Sequence, residues 1–233
     1  TGKSYAPPAD ARVVLGVDTG LRLDYVLGDK YGLFFQGDTT DYAPLDDVMR
    51  RWRNAIAIVD AGGDLIGSRA FAERWVGRVY LCYLGGDRKT NELAKWGHGD
   101  EDNAVTVDRN RAIQLVIDEF RTRRIPVHGT EEDWFDYYLD WNNLSKMKIL
   151  DPDTNVVKGY KWVRKGRDHR ALATVFWRIG MSRFLGTGEL IVASPVGRPN
   201  SYMVDPDQTV SFNPQEFFDK LEEEKQNDWR IAS

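Results

Sequence analysis

One cysteine in 233 residues, Cys82, leaves no internal disulfide and no cysteine-built zinc cluster to organise the protein around. Its place within the apolar run 79–84 marks it as a core thiol, and a reducing cytoplasm is the compartment expected. Long apolar runs are also missing. None approaches the roughly 20 residues that a bilayer span requires, and the start carries no apolar signal segment, so no membrane association is expected. The phosphate loop G-x-x-x-x-G-K-[ST] does not occur. Gly2-Lys3-Ser4 lacks the first glycine, follows no strand and runs into Pro7-Pro8 where a helix would be needed, which excludes ATP hydrolysis by that route. Nor is there a surplus of positive charge. With 32 basic against 36 acidic residues the net charge is −4, which disfavours a nucleic-acid coat protein. A nuclease stays open, because its site is itself acidic and its basic residues can be local.

What is present is the pattern of an α/β protein large enough for a sizeable core. Residues 1–11 show no periodicity and read as a leader or linker remnant. Runs 13–18, 23–28 and 33–36 read as strands joined by turns too short for crossovers, so they are expected to pair antiparallel. A helix over 45–54, a strand over 55–60, a helix over 65–76 and a strand over 79–84 then imply parallel pairing with right-handed crossovers. Residues 85–103 read as a polar loop, with His98-Gly99-Asp100-Glu101-Asp102 as a solvated acidic stretch. A short strand over 105–107 follows, then a helix capped by Asp108 and running to about 124, and a helix over 131–141 whose aromatics belong to the core. Runs 147–150 and 156–163 form a hairpin with a five-residue turn. Gly166-Arg167-Asp168-His169 opens a long helix, and 189–233 reads as an extension that packs on the domain or binds a partner.

Three aspartates hold comparable places in this pattern. Asp18 ends the first strand, Asp60 ends the fourth, and Asp168 starts the helix after the hairpin. If the first and fourth strands are neighbours, Asp18 and Asp60 emerge together, and a helix laid across the sheet brings Asp168 to the same edge. Hard oxygen donors gathered this way suit magnesium or manganese, and two such ions suit an in-line phosphoryl displacement. Each aspartate taken alone is more often a turn former or a helix cap than a ligand, and Asp168 is well placed as an N-cap; it is their conjunction that points to metal.

Leu15-Gly16-Val17-Asp18, Ile58-Val59-Asp60 and Gly166-Arg167-Asp168-His169-Arg170 resemble the three acidic motifs of the nuclease domain of tailed-bacteriophage terminase large subunits. The order of the motifs and the hairpin before the third also fit, and the resemblance covers roughly residues 12–185. It implies a ribonuclease H-like mixed sheet, three antiparallel strands followed by parallel ones, flanked by helices over 12–188 with the hairpin inserted. It further implies that Asp18, Asp60 and Asp168 bind Mg2+ or Mn2+, two ions in all, and that the substrate is double-stranded concatemeric viral DNA cut with little sequence specificity during packaging. The partners implied are an N-terminal ATPase motor domain, a portal and a small terminase subunit, in the cytoplasm of an infected bacterial host. Some relatives carry a second acid directly after the third-motif aspartate. Here His169 stands there, to position a water, to protonate the leaving oxygen, or with no catalytic role.

Beside the third motif lie Lys146, Lys148, Lys158, Lys161, Arg164, Lys165, Arg167 and Arg170, interleaved with Tyr160 and Trp162 and opposed by few acids. This local excess is expected to lie along a phosphate backbone, or else to blunt an edge strand. Three alternatives remain open from sequence. Leu15-Gly16-Val17-Asp18-Thr19-Gly20 resembles the first phosphate loop of actin-like ATPases, although the chain lacks a clear second one. A transposase, integrase or resolvase would use the same fold, and a catalytically silent docking module would rely on the tail.

Overall fold

The computed structural model describes residues 5–85, 93–98 and 101–184. Its main sheet has seven strands in the order β3-β2-β1-β4-β5-β7-β6. The first three, β1 (Val14–Asp18), β2 (Leu23–Asp29) and β3 (Gly32–Thr39), form the expected antiparallel meander. β4 (Ile56–Asp60) and β5 (Val79–Gly85) then pair parallel to β1 and to each other, joined through α1 (Ala43–Arg51) and α2 (Leu65–Arg74). β6 (Ala94–His98) and β7 (Glu101–Asp108) close the far side, with β7 parallel to β5 and β6 antiparallel to β7.

Strand alternation sorts the core onto two faces. Leu15 and Val17 of β1 and Ala57 and Val59 of β4 meet Leu45, Met49 and Phe71 of α1 and α2. Val14, Ile56 and Ile58 face the other way, onto α3 (Arg109–Arg121), α4 (Phe135–Asn142) and α5 (His169–Phe184). Cys82 is fully buried on that second face. Trp134, Tyr137, Tyr138 and Trp141 lie in the same core, as expected of that stretch, whereas Phe135 is 58% exposed.

The helix that matters most for the site is α5, and one residue lets it approach. A Cβ on Gly16 would stand 2.0 Å from the Ala173 carbonyl oxygen and 2.4 Å from the Trp177 amide nitrogen, so glycine admits the α5 backbone directly onto β1. Further along, Gly180 packs against Val14 and Ile58. His169, Ala173, Trp177 and Gly180 thus run down β1 from its carboxyl end to its amino end, which sets the start of α5 over Asp18.

Several expectations change. The polar loop over 85–103 contains β6 and the first half of β7, a hairpin in place of a short strand over 105–107. β6 is an edge strand whose burial rests largely on Trp96, set edge-on against Tyr80 at 5.3 Å, too little alternation to stand out in sequence. α1 starts at Ala43, where the Asp41 carboxylate accepts the Ala43 N–H at 2.8 Å, and stops at Arg51, short of residue 54. The run 131–141 divides into a 3-10 turn, Glu132–Trp134, and α4. Residues 5–11, read as a leader, are tied down: the Tyr5 hydroxyl donates to Asp29 at 2.5 Å and its ring stacks on His128 at 4.5 Å. Gly2-Lys3-Ser4, Gly99-Asp100 and the 189–233 extension lie outside the described residues.

The hairpin forms a separate two-stranded sheet, β8 (Leu144–Leu150) and β9 (Val157–Arg164), with β8 starting three residues earlier and β9 shifted one residue later than expected. Arg109 donates to the Trp162 carbonyl at 2.8 Å, and the Trp162 N–H donates to Asn110 at 2.8 Å, which moors β9 to the start of α3.

Candidate active site at the carboxyl edge of the sheet

Register alone assembles a row of acids. β1 and β4 run parallel with Val17 opposite Val59, so Asp18 and Asp60 stand side by side where the strands end. The antiparallel pairings set Asp18 opposite Asp24 and Asp24 opposite Asp38. Partners in register point to the same face, so Asp38, Asp24, Asp18 and Asp60 form one row across four strands beneath the start of α5. Sequence reasoning found the two that end strands and missed the two that do not. The parity was available, since Asp24 opens β2 after a short turn, but an aspartate at a strand start carries no distinguishing signal.

The segment 167–170 lowers cations onto this row. Arg167 pairs with Asp24 and lies 3.8 Å from Asp140. Arg170 donates to Asp38 at 3.0 Å and stands 3.8 Å from Asp24 and 3.6 Å from Asp136, while its backbone N–H donates to Asp140 at 2.8 Å. These two arginines were expected on the DNA. Arg170 is only 5% exposed and its charge is spent inside the fold, and Arg167 is half-buried and paired, so both are removed from the DNA-facing set. Their work is to hold the loop before α5 against β2, β3 and α4. Asn143 adds a bond from its side chain to the Arg167 carbonyl at 2.7 Å.

His169 Nδ1 lies within hydrogen-bonding distance of Asp18 Oδ2, at 2.7 Å. Burial pushes the Asp18 carboxyl up to about 7, with the charges of Asp60 and Asp168 adding to the effect and the His169 bond opposing it. The same bond raises His169 above the ordinary imidazole value. Asp60 is met by the N–H groups of Gly62 and Gly63 at 3.1 Å each and by the Thr19 hydroxyl at 3.4 Å, yet burial still raises it. Thr19 also accepts the Asp64 N–H at 3.0 Å and so ties the two strand-end loops together. Gly63 permits this, because a Cβ there would meet the Thr19 carbonyl at 2.0 Å. Asp168, 1% exposed, faces Arg109 at 3.4 Å. Its carbonyl accepts the first-turn Leu172 N–H at 3.0 Å.

The fold therefore brings Asp18, Asp60, Asp168 and His169 to one edge. They are hard oxygen donors with an imidazole beside them: burial raises the carboxyls of Asp18 and Asp60, and at Asp18 the charges of Asp60 and Asp168 add to the effect, a set of groups able to serve a hard cation. Each carboxylate is meanwhile held by an N–H, a guanidinium or an imidazole. Among the described residues no group of three His, Cys, Asp or Glu side chains stands arranged to hold an ion.

The hairpin supplies the remaining cations. Register places Lys146 and Lys148 opposite Trp162 and Tyr160 on one face of the ribbon, with Lys161 opposite Met147 on the other. Lys148, Lys161, Arg164 and Lys165 are exposed. Lys146 donates to Gln114 at 2.7 Å and lies 5.0 Å from the Tyr160 ring, and Lys158 pairs with Asp151 at 2.6 Å. No family model, curated protein or solved structure matches the chain.

Proposed function

We propose that this chain is a metal-dependent DNA endonuclease domain on a ribonuclease H-like sheet, of the kind carried by tailed-phage terminase large subunits. The observation that carries the reading is the convergence of Asp18, Asp60 and Asp168 at one sheet edge, where Asp18 feels both other carboxylates. The sheet order supports it, with three antiparallel strands followed by parallel ones and β1 beside β4. Asp18, Asp60 and Asp168 are the residues that hold Mg2+ or Mn2+, and such ions supply Lewis acidity for an in-line phosphoryl displacement. His169 keeps one ring nitrogen on Asp18, and its other nitrogen is free to pass a proton to the leaving oxygen. The hairpin bases hold the phosphate backbone without reading sequence. An ATPase motor, a portal and a small terminase subunit are the partners this reading carries.

Supercoiled plasmid incubated with the chain in manganese, magnesium or chelator tests the proposal. Nicking and linearisation in the metal arms and none with chelator are expected. Intact plasmid across a range of manganese concentrations sinks the nuclease reading.

A further inference from the structure

The opposite edge of the sheet has the reverse charge. Where the parallel strands begin, a concave site of about 410 Å3 is lined by Arg12, Arg53, Arg78 and Arg183, with Asn54 between them and no carboxylate among the described residues of its wall. Each arginine arrives from a different place: the entry to β1, the turn after α1, the entry to β5 and the last turn of α5. In a protein of net charge −4 this concentration of guanidinium groups stands apart. We infer that this pocket is an anion site for phosphate groups, separate from the carboxyl-edge site and independent of the nuclease reading.

Two of the four guanidinium groups are held in place before any ligand arrives. Arg78 donates to the carbonyls of Ala55, Met49 and Trp52 at 2.8–2.9 Å and lies 5.0 Å from the Trp75 ring. Those partners are neutral, so its charge is positioned without being cancelled, and burial lowers its pKa as expected for a cation short of a counter-charge. Arg183 stacks on Trp96 at 4.6 Å and on Tyr80 at 5.1 Å. Ring faces orient a guanidinium and leave its N–H fork available. Arg53 lies exposed in the turn after α1 at the rim. The Arg183 fork and the Arg78 Nη1 hydrogens left over from its carbonyl bonds suit the paired oxygens of linked phosphates, which reach more than one guanidinium where a single small anion does not. Holding them beforehand removes part of the ordering cost of binding. The volume suits a diphosphate or one nucleotide unit, whether free or part of a nucleic-acid strand.

The test is thermal unfolding of the full chain in EDTA, which takes divalent metal out of the comparison, with pyrophosphate, a nucleoside diphosphate, a single-stranded oligonucleotide, a polyglutamate peptide or sulfate at matched ionic strength. Pyrophosphate should raise Tm saturably, as ligand linkage requires. Arg53→Glu and Arg183→Gln, with circular dichroism confirming the fold, should each weaken pyrophosphate about tenfold or more, the loss expected for a charge-assisted bond. Stabilisation by pyrophosphate and the nucleoside diphosphate alone identifies a small polyphosphate, and equal stabilisation by the oligonucleotide identifies a strand backbone. A shift that does not saturate, one matched by sulfate or polyglutamate, or one unchanged in both variants overturns the site.

Discussion

At the scale of single residues the decisive pair is Asp18 and His169. Asp18 has its folded pKa raised to about 7, so it binds more protons folded than unfolded across the interval below that value. Its stabilising contribution is complete below the ordinary carboxylate range and is lost as pH rises through about 7. His169 is also raised, and its contribution is lost as pH climbs through its own elevated value. Both signs agree: the metal-free fold should weaken from mildly acidic to mildly alkaline pH. In Asp18→Asn the buried charge and its ring partner's anion are gone, so the slope of Tm against pH over that window should flatten while plasmid cleavage disappears. Equal pH slopes in chelator for parent and variant would show that Asp18 titrates as an ordinary carboxylate, and retained cleavage would remove it from the site.

At the scale of elements, the site is made by α5 lying on β1, and Gly16 is where the two backbones touch. Adding one methyl there meets helix backbone, not a side chain that can swing aside. Gly16→Ala should destabilise by about 1–3 kcal/mol, the usual cost of overpacking. It should also lift Asp168 and His169 from the edge, lowering cleavage beyond what stability explains. Denaturant unfolding checks the first point, and a midpoint equal to the parent's would mean that the helix stands off the strand. The Leu15-Gly16-Val17-Asp18 run was legible as a buried strand ending in a carboxylate. The glycine's role was not legible, because it depends on a helix some 150 residues later. The same limit hid Arg167 and Arg170. In sequence they extend the basic run of the hairpin, yet Asp24, Asp38 and Asp140 turn them inward, and local charge density cannot report that reversal.

At the scale of the whole molecule, charge is sorted by direction. Acids line the carboxyl ends of the parallel strands, arginines line their amino ends, and Arg109 links β9, through the Trp162 carbonyl, to Asp168 of the acidic edge. On the proposed nuclease reading, the hairpin is the element expected to hold a duplex at the carboxyl edge. Four changes to alanine, at Lys148, Lys161, Arg164 and Lys165, should lower the slope of log affinity against log salt by about two to four, one for each phosphate that is no longer neutralised. Filter binding across a salt series measures it in chelator, where cleavage is silent. An unchanged slope would mean that DNA enters from another side, and the lysines would then serve only to blunt an edge strand.

The sequence by itself determined the α/β class, the antiparallel opening, the parallel pairing of β4 and β5, the hairpin and the long helix after it. These follow from period-2 and helical patterns, turn residues and link lengths, all local properties of the chain. It also singled out Asp18, Asp60, Asp168 and His169, because each sits at an element end that topology brings to one edge. Tertiary structure decided the rest: Asp24 and Asp38 completing the acidic row, Arg109 facing Asp168, the inward turn of Arg167 and Arg170, the edge strand β6, and the arginine pocket. Each of these depends on which distant segment supplies the opposing charge or surface, and register, close approach and burial settle that only when the chain has folded.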